Sequence, residues 1–125
     1  MISYEKLEKL KNRAVNILLL VSVLSFLLAV FGAYRPELIM SNSMYPLLKK
    51  GNIVLAKKFT DTDTVISGDI YTYKNPDDLI TITHRCISKE DVNGETVYVF
   101  KGDNNDSEDP VRVRKKWIKY RLVLF

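Results

Sequence analysis

One cysteine, Cys86, and one histidine, His84, are all the thiol and imidazole this chain has. A lone thiol excludes an intramolecular disulfide framework, and the two side chains together cannot furnish the four ligands of a structural zinc site. Glycine and proline are sparse, at five and four residues, and neither an internal repeat nor a low-complexity tract occurs. At 125 residues there is room for one domain, which excludes a multidomain machine. With 46% apolar and 27% charged residues the composition is that of a folded chain, so the fold must stand on its core.

The apolar residues are unevenly spread. From Ala14 to Tyr34 the chain reads AVNILLLVSVLSFLLAVFGAY, interrupted only by Asn16, Ser22 and Ser25. At about 1.5 Å rise per residue this run spans roughly 30 Å, the thickness of a bilayer's hydrocarbon layer. It exceeds a usual cleavable h-region, and bulky Phe31 stands at −3 from the plausible exit at Ala33, so it reads as an uncleaved signal anchor. Lys6, Lys9, Lys11 and Arg13 precede it, whereas Arg35 alone follows before Lys49. The positive-inside rule therefore places the N-terminus in the cytoplasm. The expected organisation is a cytoplasmic basic flank over 1–13, a transmembrane segment over 14–34 and an extracytoplasmic domain over 35–125.

The formal charge is +4. Besides the flank, basic residues gather between Arg112 and Arg121, where they interleave with Val113, Trp117 and Ile118. This cluster reads as a solvated strand face, not as a nucleic-acid surface.

Beyond Tyr34 no helix-period pattern of useful length appears. Short β-rich runs recur instead, at Ile53–Lys57, Ile70–Lys74, Leu79–Ser88, Thr96–Lys101 and Trp117–Phe125, separated by Gly51-Asn52, Thr60–Thr64, Ser67-Gly68-Asp69, Asn75–Asp78 and Asn93-Gly94. The expected fold is mainly β, a small β domain on a single N-terminal transmembrane helix. Asn93-Gly94 suits a two-residue turn with positive φ at both positions, so a hairpin is expected there. Counting back from that turn puts Val92 opposite Glu95, Ser88 opposite Val99 and His84 opposite Asp103. Opposed residues share a face, which sets the only histidine beside an acid unless a bulge intervenes.

A histidine beside a carboxylate is the base-and-orienter half of a hydrolytic constellation, and it needs a nucleophile. Cys86, two residues along the same strand, would point parallel to His84 and not toward it, and reads as a small buried apolar residue. The better candidate lies in Ile39-Met40-Ser41-Asn42-Ser43-Met44-Tyr45-Pro46, where two serines alternate with apolar residues. Asp103, Asn105, Ser107 and Asp109 alternate like calcium ligands, but Glu108 stands where such a loop needs glycine and Arg114 where it needs a bidentate glutamate. No metal or organic cofactor is indicated.

Taken in order, these segments resemble the type I signal peptidases of the archaeal and endoplasmic-reticulum branch. The resemblance rests on the N-terminal anchor, Ser41-Asn42-Ser43-Met44-Tyr45-Pro46, Gly51-Asn52-Ile53-Val54, Gly68-Asp69-Ile70, Ile82-Thr83-His84-Arg85 and Lys101-Gly102-Asp103-Asn104-Asn105 with Asp109 beyond. It implies a membrane-bound serine endopeptidase that cuts signal peptides from exported preproteins after small residues at −1 and −3. Ser43 is then the acylating serine, His84 the base where the other branch uses lysine, and the Ser41 hydroxyl with the Ser43 N–H the oxyanion donors. The family pattern makes Asp109 the acid on His84, with Asp103 left to shape its loop, whereas hairpin register favours Asp103. Ile39, Met44 and Thr83 are the candidates for shallow substrate pockets. Implied partners are preprotein signal peptides, the lipid bilayer and the protein-translocation machinery. The same residues are compatible with a peptidase dedicated to one substrate, and the same fold with a membrane-anchored binding or assembly module that performs no turnover. Asn52 departs from the aspartate commonly found after that glycine, and Asn42 from the glycine common between the serines.

Overall fold

The computed structural model describes all 125 residues. They form two compact units, Met1–Ala33 and Tyr34–Phe125. The first is a single helix, α1 (Tyr4–Ala33). Its interior carries no proline, and its one glycine, Gly32, lies in the last turn, so nothing interrupts the backbone ladder. The helix begins well before Ala14, so the basic flank is helical too. Glu5 accepts from Lys9 at 2.8 Å and Glu8 meets Lys11 at 3.8 Å, pairs worth about 0.3 kcal/mol each at an exposed helix surface. No residue of α1 is buried, and it is the one helix long and apolar enough to cross a membrane.

The second unit is a seven-stranded antiparallel sheet built from β1 (Tyr34–Leu38), β2 (Ile53–Lys58), β3 (Ile70–Tyr73), β4 (Ile82–Val92), β5 (Glu95–Lys101), β6 (Val113–Arg114) and β7 (Ile118–Leu124). Spatial order is β1-β2-β7-β3-β4-β5-β6, so the last strand of the chain lies inside the sheet between β2 and β3. Lys115–Trp117 forms a short 3₁₀ turn before β7.

The sheet is strongly curled. β1 and β3 lie three strands apart, about 14 Å in a flat sheet, yet the Glu37 carboxylate on β1 accepts a hydrogen bond from Thr72 on β3 at 2.8 Å. Curling buries both faces. Ile70 and Tyr71, neighbours on β3 that point opposite ways, join different apolar clusters. Ile70 packs with Ile39, Met44, Leu48, Val54, Ala56 and Leu122, and Tyr71 with Phe59, Tyr73, Cys86, Phe100, Val113 and Ile118. Phe100 anchors the second cluster, its ring 6.1 Å from Tyr71 edge-on and 5.0 Å from Tyr73.

The hairpin at Asn93-Gly94 is present, with φ of 53° and 80° at the two turn residues. Three strand expectations need correction. The run expected over Leu79–Ser88 instead forms Ile82–Val92, with Leu79 and Ile80 at 97% and 68% exposure in the preceding loop. β6, only two residues long, falls outside the expected runs, and so does β1, because Tyr34-Arg35-Pro36-Glu37-Leu38 has a proline and no clean alternation. As an edge strand paired only with β2, it has no need of a proline N–H.

Candidate active site

Ser43 lies in the long connection between β1 and β2, at the start of a tight turn. Tyr45 N–H donates to Asn42 O at 3.1 Å and Leu48 N–H to Met44 O at 2.9 Å, while Ile39 and Gly51 zip the base of the loop through bonds of 2.9 Å and 2.8 Å. Met44 and Leu48, at 1% and 2% exposure, pin the turn into the core. A second loop braces it from the other side. Asn104 N–H donates to Ser43 O at 2.8 Å and the Asn104 amide to Asn42 O at 3.1 Å. That approach requires the preceding Gly102, since a Cβ there would stand 2.7 Å from Ser43 O.

His84, on β4, stands beside this turn with Nε2 3.1 Å from Ser43 Oγ. Its Nδ1 lies 2.8 Å and 2.7 Å from the two carboxylate oxygens of Asp109. Asp109 is held by its own backbone, whose N–H donates to Phe100 O at 2.8 Å, and by the Tyr73 hydroxyl, which donates to Oδ2 at 2.7 Å. His84 and Asp109 are both buried. Burial pushes the Asp109 carboxyl upward, but the hydrogen bonds from His84 and Tyr73 outweigh it and hold the group below its ordinary value. Tyr73 moves the other way, raised by burial and by its bond to Asp109, and so stays a phenol that donates. These partners assign the tautomer: Nδ1–H donates to Asp109, leaving Nε2 to accept from the Ser43 hydroxyl.

Asp103 is not beside His84. The hairpin register runs as counted from Val92–Glu95 to Ser88–Val99, then a bulge between Cys86 and Ser88 shifts it, so that Cys86 faces Phe100 and Arg85 faces Lys101. The Asp103 carboxylate instead takes two bonds from Arg85, at 2.9 Å and 2.7 Å, while Arg85 also donates to Gly68 O at 2.7 Å. The Arg85 hydrogen bonds hold the Asp103 carboxyl below its ordinary value. This pair fixes the loop that carries Gly102 and Asn104, and through it the backbone of Ser43.

The Ser41 hydroxyl lies 3.1 Å from Ser43 Oγ and accepts the Ser43 N–H at 3.4 Å. Ile39, Met44 and Thr83 line, with Ser41, Ser43 and His84, an open cleft of about 780 Å³. Met44 does so from a buried position, so it serves the core as well as the cleft wall. Cys86 is buried within 3.7 Å of Ser88 O, and burial raises its thiol pKa, the environment of an unreactive cysteine. Tyr73 and Glu37 carry no motif of their own in the sequence, and the Arg85–Asp103 clamp joins two motif segments whose pairing the sequence does not give. Tyr73 comes to the site through the pairing that sets it opposite Ile82, two residues from His84.

No protein-family profile matches the chain. Individual relatives do. Signal peptidase I W of Bacillus subtilis is 33% identical over 97 residues, covering 78% of this chain and 50% of that protein. The signal peptidase complex catalytic subunit SEC11C of Homo sapiens is 32% identical over 85 residues, covering 66% of this chain and 44% of that protein. The chain is a relative of the type I signal peptidases. It spans about half the length, or less, of these two curated relatives. An uncharacterised protein of Methanocaldococcus jannaschii is 30% identical over 76 residues, 53% of this chain and 37% of its own.

Against the signal peptidase pattern, the two departures noted in the sequence have structural roles. Asn52 Oδ1 accepts from Lys49 N–H at 2.9 Å, an acceptor role that an aspartate would fill equally. Asn42 Oδ1 accepts from Lys50 N–H at 2.9 Å and ties the two sides of the serine loop together.

Proposed function

We propose that this chain is a membrane-anchored serine endopeptidase that removes signal peptides from preproteins after small residues at −1 and −3. Its N-terminal helix crosses the bilayer from the cytoplasm, and residues 35–125 act on the far side. The observation that carries this reading is the unbroken line from Ser43 Oγ through the His84 imidazole to Asp109, with contacts of 3.1 Å and 2.7 Å. The named signal peptidase relatives support it.

In the proposed reaction Ser43 Oγ attacks the scissile carbonyl carbon as its proton passes to His84 Nε2. Asp109 holds the imidazole in the tautomer that can accept and stabilises the imidazolium that forms. The Ser43 N–H, which rests on Ser41 Oγ at 3.4 Å, and the Ser41 hydroxyl turn to the oxyanion as it forms, each such donor lowering the barrier by about 3 kcal/mol. Collapse breaks the C–N bond, and His84 returns its proton to the leaving amine. Water, deprotonated by the same nitrogen, then hydrolyses the Ser43 ester and frees the signal peptide. The Arg85–Asp103 clamp and Gly102 act earlier, by holding the loop whose Asn104 N–H binds Ser43 O and so fixing the Ser43 backbone.

The test is cleavage of a preprotein carrying an A-x-A site by the full-length protein in liposomes, with the cut located by mass spectrometry. Cutting after the small residue by the wild type and not by Ser43→Ala is the expected result. Equal cutting by both removes Ser43 from the mechanism, and binding without cutting by either turns the chain into a peptide-binding module.

A further inference from the structure

Asn104 and Asn105 end a tight turn that begins at Gly102, closed by Asn105 N–H donating to Gly102 O at 3.0 Å. Their side chains have different fates. The Asn104 amide is used inside the protein, donating to Asn42 O at 3.1 Å. The half-buried Asn105 side chain makes no hydrogen bond within the chain, and it lines the cleft shared by Ser41, Ser43 and His84. Its place depends on the bare face of Gly102. A Cβ there would stand 2.6 Å from Asn105 Nδ2 and 3.0 Å from its Cγ, and 2.7 Å from Ser43 O. The unpartnered amide nitrogen and the Ser43 carbonyl therefore crowd the same point, which only a glycine leaves open.

An amide NH₂ only donates. Water satisfies it while it faces solvent, but an occupant of the cleft that displaces this water must bring an acceptor or leave the group unpaired at a cost. Small apolar side chains carry no acceptor. A main-chain carbonyl does, and every polypeptide has one per residue whatever its sequence. Because Nδ2 adjoins Ser43, the carbonyl within its reach belongs to a residue close to the bond that Ser43 Oγ attacks.

We propose that Asn105 is a substrate-binding residue whose Nδ2 donates to a main-chain carbonyl of the bound peptide near the scissile bond. The inference rests on the peptidase reading above and adds to it a contact that is independent of the side chains at −1 and −3. The contact is made on binding and persists through the reaction. Its loss therefore raises KM and leaves kcat in place.

The experiment compares full-length wild type and Asn105→Ala in liposomes on synthetic signal-peptide substrates with an A-x-A site. One substrate is all amide. In the others each peptide unit flanking the cut, except the scissile one, is replaced in turn by an ester, whose carbonyl is a weaker acceptor. KM does not depend on the fraction of folded enzyme, so a partly unfolded variant still reports. On the all-amide substrate Asn105→Ala should raise KM about five-fold, the worth of one net hydrogen bond, with kcat unchanged. On one ester substrate the wild type should lose the same factor and the difference between the two proteins should vanish, which assigns the contact to that unit. An unchanged KM, a fall in kcat alone, or an equal loss on every substrate, as a merely structural role would give, overturns the inference and leaves the peptidase reading standing. Failure of the wild type to cut the all-amide substrate overturns both.

Discussion

Replacing Asp109 by asparagine should slow cleavage far more than the loss of one charge suggests, and a second substitution at Tyr73 should give part of that rate back. Tyr73 donates to Asp109 Oδ2 at 2.7 Å, while His84 Nδ1 faces both oxygens at 2.7–2.8 Å. In Asp109→Asn the Tyr73 hydroxyl needs an acceptor, so it holds the amide oxygen at the Oδ2 position and leaves the NH₂ at Oδ1, 2.8 Å from Nδ1, where its hydrogens and the Nδ1 proton would collide. Nδ1 then becomes an acceptor, the ring proton moves to Nε2, and the base can no longer take the Ser43 proton. A wrong tautomer of this kind costs about 10⁴-fold in kcat. Tyr73→Phe alone removes one donor to a carboxylate and should cost about ten-fold. In the double variant, freed from Tyr73, the amide can rotate so that its oxygen alone faces His84 Nδ1–H. Its rate should therefore exceed that of Asp109→Asn by about ten-fold, corresponding to roughly 1.4 kcal/mol. The assay is single-turnover cleavage of a preprotein by full-length protein, with the His84 tautomer read independently from ¹⁵N shifts. A double variant as slow as the product of the two single losses would refute the orienting role given to Tyr73.

Other consequences follow from the same geometry. Gly102→Ala should cut kcat by at least about ten-fold, because its Cβ would meet Ser43 O at 2.7 Å and displace the Ser43 backbone; a variant with wild-type kcat would show that the two loops yield without cost. Asp103→Asn should lower stability by about 1–2 kcal/mol at pH 7, measured by urea unfolding of the full-length protein in detergent. Since the Asp103 carboxyl lies below its ordinary value in the fold, that contribution is complete above the unfolded pKa of about 4 and fades as pH falls through the lowered folded value. A wild-type advantage as large at pH 2.5 as at pH 7 would rule out the ion pair as its source. Phe100→Ala should lower stability by about 3–5 kcal/mol, as Phe100 is fully buried between Tyr71 and Tyr73, and near-UV circular dichroism should lose tyrosine signal with it.

Different physical signals make different parts of this molecule legible in the sequence. The apolar helix is plain because hydropathy over a long run needs no tertiary knowledge, although its extension to Tyr4 depends on the helix-forming flank of lysines, glutamates and leucines. Strands β2, β3, β5 and β7 follow from β-rich runs between turn residues. β1 does not, since its proline is acceptable only at a sheet edge, and which strand is an edge is a property of the whole sheet. Asn93-Gly94 announces the hairpin, yet the bulge between Cys86 and Ser88 has no local marker, and that single extra residue moves Asp103 from His84 to Arg85. Ser43, His84 and Asp109 are suggested in sequence by resemblance and are brought together in space by three separate segments. Glu37 and Tyr73 stay hidden for a related reason: each reaches its partner across the curl of the sheet, a separation that no spacing along the chain encodes.

The most direct test of the central claim is to run preprotein cleavage in the presence of hydroxylamine and weigh the released signal peptide. If Ser43 forms an ester with the signal peptide, hydroxylamine competes with water for that ester, and part of the product should carry a C-terminal hydroxamate while the overall rate of cutting stays the same. Ser43→Ala should release nothing. A product that is carboxylic acid throughout, or cleavage that persists in Ser43→Ala, would contradict nucleophilic catalysis by Ser43.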